Sequence, residues 1–79
     1  MNTREIRISK LDDVNSVVDI ASTCPLGIEA VDSQGRVADA SSILSMLALN
    51  FEAPVTLRSR DESFLQRISS MLEQLHSVQ

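Results

Sequence analysis

The chain of 79 residues has room for one small domain, which excludes a two-domain enzyme with a cleft between lobes. Its 43 % apolar and 23 % charged residues are typical of a folded globular protein. Eleven acidic residues against seven basic ones give a formal net charge of −4. Because binding to nucleic acid or to a membrane surface uses basic residues, we expect neither partner. We expect residues 1–79 to form a single domain and a monomer.

The sequence also predicts a cytoplasmic protein without a cofactor or a metal. The first residues are not followed by an apolar run of signal-peptide length, and no run is long enough to span a membrane. A single cysteine, Cys24, permits neither an internal disulfide nor a metal cage. Two glycines in the whole chain leave no glycine-rich phosphate loop.

In chain order, the first half predicts a strand, a helix and a hairpin. Residues 4–9 alternate between polar and apolar, as in a half-buried strand. A helix is then predicted from apolar residues three and four positions apart: Leu11, Val14, Val17, Val18 and Ala21. This helix ends before Pro25. Strands are predicted over residues 26–31 and 36–40, joined by a turn in which Gly35 supplies a positive φ.

The second half predicts a helix, a strand and a longer helix. The second helix of the chain covers residues 41 to about 51, with Asp39 or Ser41 as its cap. A strand follows over residues 55–59, and Asp61 caps the last helix. That helix has one apolar side: Phe64, Leu65, Ile68, Met71, Leu72 and Leu75. The order β-α-β-β-α-β-α predicts an α+β open-faced β-sandwich, a four-stranded and mainly antiparallel sheet covered on one face by three helices.

The reactive side chains do not form a catalytic set. His76, the only histidine, is predicted to be a solvated residue at the end of the last helix, remote from the other reactive groups. Asp12 and Asp13 are predicted to be cap and dipole partners at the start of the first helix, and Ser9 with Asp12 resembles a capping box. We therefore expect no enzyme activity.

The predicted second helix has apolar residues on two sides. On a helical wheel one broad arc holds Ile43, Leu44, Leu47, Ala48 and Phe51. Another arc holds Met46 and Leu49. Since a helix on a sheet needs only one apolar side, two interpretations stay open: a fully buried core helix, or an exposed patch that binds a partner. Ser42 lies in the first turn, where it is either an ordinary cap or a phosphorylation site.

The run from Asp39 to Leu49 resembles the start of the second helix in HPr, the histidine-containing phosphocarrier of the bacterial sugar phosphotransferase system. That family commonly shows a pattern like D-A-K-S-I-M-G-L-x-x-L there, and this chain has D-A-S-S-I-L-S-M-L-A-L. The order of elements, the turn at Gly35 and the strand at residues 55–57 fit as well. The sequence resembles most the divergent HPr-like proteins of clostridial-type bacteria.

The resemblance implies a regulatory site and a docking surface on the second helix. Ser42 matches the serine that HPr kinase/phosphorylase modifies in Gram-positive bacteria. Ile43, Leu44 and Leu47 match the exposed apolar residues through which HPr contacts its enzymes and transcriptional regulators. The implied partners are therefore HPr kinase/phosphorylase, components of the phosphotransferase system or a transcriptional regulator.

The chain departs from the family where HPr carries its phosphoryl group. HPr places the phosphorylated histidine at the start of the first helix, in a motif like G-L-H-x-R-P-A. Residues 10–14 here are K-L-D-D-V, without histidine, arginine or proline. Ser41 and Ser45 stand in place of the usual lysine and glycine. We therefore expect a non-catalytic regulatory or protein-binding module that acts through the second helix, with Ser42 as a candidate switch.

The alternative function is a phosphoryl or acyl carrier with an unconventional attachment residue. Small size and acidity fit an acyl carrier protein, but the D-S-L attachment motif of that class is absent and its fold is all helical. A phosphoryl carrier would use His76, or an aspartyl phosphate at residues 12–13. An HPr paralogue without any of the family's roles is a further alternative.

Overall fold

A computed structural model describes residues 1–77, which form four strands and three helices. The elements are β1 (Asn2–Ile6), α1 (Leu11–Ala21), β2 (Glu29–Val31), β3 (Val37–Asp39), α2 (Ile43–Leu47), β4 (Val55–Ser59) and α3 (Glu62–Ser77). The predicted order of elements and the α+β open-sheet fold class are confirmed. Within the described residues, no helix is both long and apolar enough to cross a membrane.

The strands form one antiparallel sheet in the order β1-β4-β2-β3. In β4, a central strand, Val55, Leu57 and Ser59 are buried on the face that the helices cover. Because side chains alternate along a strand, Arg58 points to the opposite, open face. There its guanidinium lies 2.9 Å from the carboxylate of Glu29 on β2. One face of the sheet therefore belongs to the core, and the other carries charge.

The core lies between the sheet and the helices. Val14 and Val17 of α1 are buried there together with Leu65 of α3, as the apolar spacing predicts. The expectation that Leu11 belongs to the buried side of α1 is wrong, since its side chain is largely exposed. The buried face of α1 is rotated toward Asp13, which is fully buried, and Leu11 falls at the margin of that face.

The hairpin strands β2 and β3 are shorter than the predicted residues 26–31 and 36–40. Gly27 has a φ of 78°, which interrupts the extended conformation before β2 and leaves Leu26 exposed. Gly35, with a φ of 84°, closes the turn between the two strands as predicted.

Helix α2 ends at Leu47, although the sequence predicts a helix over residues 41–51. In a continuing α-helix, the backbone N–H of Asn50 would donate to the carbonyl of Met46. It donates instead to the carboxylate of Asp32, at 3.0 Å. The backbone N–H groups of Ala48 and Leu49 already bond three residues back, at 3.2 and 3.1 Å. Helix α2 therefore tightens after Leu47, and the bond from Asn50 to Asp32 directs the chain away from a further helical turn.

The helix caps match the prediction at α3 only. The Asp61 carboxylate accepts hydrogen bonds from backbone N–H groups in the first turn of α3. The cap of α2 is Ser42 and not Asp39 or Ser41: the Ser42 hydroxyl oxygen accepts from the backbone N–H of Ser45 at 3.4 Å. The start of α2 lies slightly later in the chain than predicted for this reason.

Candidate functional site

Three apolar side chains of α2 are in contact with solvent. Leu44 is 79 % exposed, Leu47 is 49 % exposed and Ile43 is 36 % exposed. Met46 and Leu49, on the other arc of the wheel, are buried in the core. Helix α2 is therefore not a fully buried core helix. We call Ile43, Leu44 and Leu47 the α2 patch; the role of these residues in binding stays a prediction.

A groove of about 530 Å³ adjoins the α2 patch and shares Leu47 with it. Its polar lining comes from Ser9 and Lys10 before α1, and from Asn50 and Glu52 after α2. Its apolar lining residues are Ile8, Leu11, Val14, Leu47, Leu49 and Phe51. We call this concavity the α1–α2 groove. A mainly apolar cleft with a few polar groups suits an inserted apolar side chain of another protein.

Ser42, the candidate phosphorylation site, is half-buried at the start of α2. Its backbone N–H donates to the carbonyl of Asp39 at 3.0 Å. The Asp39 carboxylate accepts the Ser41 hydroxyl at 2.6 Å and the Ser41 N–H at 2.9 Å. These bonds, the hydroxyl bond above all, hold the pKa of Asp39 below its usual range. An ionised carboxylate therefore adjoins the segment in which a Ser42 phosphate would lie.

A second group of polar residues connects the start of α1 to the last turn of α3. Nε2 of His76 lies 2.9 Å from Oδ2 of Asp13, which is 63 residues earlier in the sequence. The prediction that His76 is solvated at the end of the last helix is confirmed, but the prediction that it is remote from other reactive groups is wrong. The last helix packs against the first, and this contact brings the end of α3 to the start of α1.

Asp13 also corrects the predicted cap of α1. The N-cap is Lys10, whose side chain makes no capping bond, and the backbone N–H of Ser9 donates to Oδ2 of Asp13 at 2.8 Å. Asp13 takes the part that the sequence predicts for Asp12. Burial raises the pKa of Asp13, but the hydrogen bonds from His76 and Ser9 outweigh burial, so this pKa lies below its usual range.

The pairing of His76 with Asp13 has only a weak signal in the sequence. An acidic residue directly before the buried Val14 is unusual on the core side of a helix, and it calls for a partner. Nothing local identifies that partner, because the distance along the chain is long. His76 also lines a small cleft of about 170 Å³ with Glu5, Arg7 and others.

Comparison with protein-family models finds no match to the chain, and comparison with curated proteins finds none either. Among residues 1–77, no three side chains of His, Cys, Asp or Glu are placed to hold a metal ion together. The functional interpretation therefore depends on the geometry of the α2 patch and the α1–α2 groove, and on the resemblance of residues 39–49 to HPr.

Proposed function

We propose that this protein is a non-catalytic, HPr-like regulatory module that binds partner proteins through the α2 patch and the α1–α2 groove. The observation that carries the proposal is the exposure of Leu44 and Leu47 beside an apolar groove. Exposing contiguous apolar area is costly for a chain of 79 residues, and such areas commonly mark protein contacts.

The partner of this surface is a protein face with an apolar centre and a basic rim. The apolar centre matches Leu44, Leu47 and the groove lining. The basic rim follows from the net charge of −4 of the whole chain, since the two charged residues that line the groove, Lys10 and Glu52, balance each other. By family resemblance, the partner is HPr kinase/phosphorylase, a phosphotransferase component or a transcriptional regulator. A cytoplasmic location is part of the same proposal.

Ser42 is the proposed switch of this surface. A phosphate would add a charge of about −1.5 to −2 directly before Ile43, close to the ionised Asp39. A partner that docks an apolar face on Ile43, the residue after Ser42, would then have to remove water from this charge. We therefore expect phosphorylation of Ser42 to weaken docking to an apolar face.

The proposal is tested by titrating HPr kinase/phosphorylase into the purified wild-type protein and into the Leu47→Asp variant. The Kd of the variant is then compared with that of the wild type. We expect binding to weaken by about tenfold or more, since a charge would replace an apolar contact at the centre of the surface. The matched control is Leu26→Asp, the same change at an exposed leucine that lines a different cleft. It should leave Kd within about twofold of the wild-type value.

Circular dichroism of each variant separates loss of binding from loss of folding. A Leu47→Asp variant that is folded but binds as tightly as wild type contradicts the docking proposal, as does an equal effect of both substitutions. Failure of the wild-type protein to bind the kinase contradicts this choice of partner.

Intact-mass spectrometry tests the switch and the alternative function together. Incubation with ATP and HPr kinase/phosphorylase should add one phosphate, and Ser42→Ala should remove it. A phosphate acquired from phosphoenolpyruvate and the first enzyme of the phosphotransferase system would instead assign the protein to the carriers.

A further inference from the structure

The Asp13 carboxylate lies buried between the start of α1 and the last turn of α3. Its side chain is 0 % exposed. Oδ2 accepts both the Ser9 N–H at 2.8 Å and His76 Nε2 at 2.9 Å, whereas the buried Oδ1 has no partner among the described residues. Both hydrogen bonds to this carboxylate therefore go to the same oxygen atom, Oδ2.

A buried carboxylate with so few donors depends strongly on each of them. Removing a carboxylate from water is costly, and hydrogen bonds to its charged form offset that cost. His76 supplies one of the two bonds, and its ring is about one-third exposed. The position of Asp13 is therefore sensitive to the state of a side chain that the solvent reaches.

Asp13 also fixes one wall of the α1–α2 groove. Its carboxylate holds the N–H of Ser9, and its own N–H donates to the carbonyl of Lys10 at 3.0 Å. Ser9, Lys10 and the next residue, Leu11, all line the groove. A change at His76 is thereby connected to the groove through one side chain.

We propose that His76 is a pH-sensitive tether, which acts through Asp13 to hold the Ser9–Leu11 wall of the α1–α2 groove in place. The tether is tighter when His76 is protonated, because an imidazolium always donates from Nε2 and adds charge to the bond. A neutral ring donates from Nε2 in only one tautomer. The regulatory meaning rests on the proposed docking function, whereas the tether is a property of the free protein.

Charged side chains surround His76 from α1, β1, α3 and the segment after β1. Asp13 of α1, Glu5 of β1 and Glu73 of α3 carry negative charge, and Arg7, which follows β1, opposes them. Histidine is the side chain that ordinarily changes charge between pH 5 and 8. The groove wall is therefore expected to be more firmly held toward the acid end of that interval.

The experiment is an NMR titration of the free, ¹⁵N-labelled protein from pH 8 to pH 5. We expect the Ser9 amide signal to shift with the same midpoint as the ring protons of His76. At one fixed pH, His76→Ala should accelerate hydrogen exchange of the Ser9 amide by about tenfold or more, because one of two donors to a buried charge is lost. The matched control, Gln74→Ala on the exposed side of the same helix, should leave that exchange unchanged.

His76→Gln keeps an amide donor but cannot titrate. The Ser9 amide should therefore retain most of its protection from hydrogen exchange, and its NMR signal should no longer shift with a midpoint between pH 8 and pH 5. This variant decides the question if His76→Ala does not fold. A Ser9 amide that ignores the titration of His76, or one whose midpoint survives in His76→Gln, overturns the proposal. Neither result depends on a binding partner, so failure of the tether and failure of the docking function are told apart.

Discussion

Asp32 connects the β2–β3 turn to the segment after α2, because its Oδ2 accepts the backbone N–H of Asn50 at 3.0 Å. Its Oδ1 accepts the N–H groups of Gln34 and Arg36, each at 2.9 Å. One buried carboxylate thus accepts hydrogen bonds from three backbone N–H groups, two in the β2–β3 connection and one in the segment after α2. Since Asn50 lines the α1–α2 groove, Asp32 also sets the position of that side of the candidate docking surface.

Two substitutions of Asp32 should therefore destabilise the protein to different extents. Asp32→Asn keeps an oxygen for Gln34 and Arg36 but turns an NH₂ group toward the N–H of Asn50, so one bond is lost. Asp32→Ala loses all three bonds and should lower the melting temperature further. Thermal unfolding gives the order, and hydrogen exchange at Asn50 should be faster in both variants. An Asn50 amide that exchanges at the wild-type rate in Asp32→Asn would show that Asp32 does not hold this segment.

Acid should destabilise the protein through the same kind of carboxylate. Hydrogen bonds from Asn50 above all lower the pKa of Asp32, and bonds from the Ser63 hydroxyl above all lower that of Asp61. The folded state therefore binds these protons less readily than the unfolded chain, in which an aspartate has a pKa of about 3.9. Their contribution is fully present above that value and is lost as pH falls through the lower, folded pKa.

Urea unfolding at several pH values measures this effect. The free energy of unfolding should change little through these groups between pH 7 and pH 5, and it should fall below about pH 4. Asp32→Ala should flatten the fall, because one of the responsible carboxylates is gone. A wild-type free energy that stays constant between pH 5 and pH 3 would contradict the assignment.

The sequence predicts those parts of the fold that depend on local spacing. Strand β4 has the predicted bounds of 55–59, and Asp61 caps α3, because alternation and capping are properties of neighbouring residues. The helical wheel shows two apolar arcs on α2 but does not decide whether either is exposed; only the resemblance to HPr implies that Ile43, Leu44 and Leu47 are. Local patterns alone therefore predict the element order but not the α2 patch.

Features that depend on distant residues are not visible in the same way. The chain after α2 is held by Asp32, which is 18 residues before Asn50. The buried position of Asp13 depends on His76, which is 63 residues away. The α1–α2 groove likewise forms only when the segment before α1 and the segment after α2 come together in the folded chain. Propensity and period cannot contain such information, because the competing hydrogen bonds form only in the folded chain.

The two sides of α2 should respond differently to the same substitution. Met46 is fully buried, so Met46→Ala leaves a cavity and should cost about 3 kcal/mol of unfolding free energy. Leu44 projects into solvent, so Leu44→Ala should change that energy by about 0.5 kcal/mol or less. Urea unfolding of both variants measures the contrast. Met46→Leu, which nearly conserves volume, should cost less than about 1.5 kcal/mol and serves if the alanine variant does not fold. Equal effects at Met46 and Leu44 would mean that α2 packs in another orientation, and the α2 patch would not exist as described.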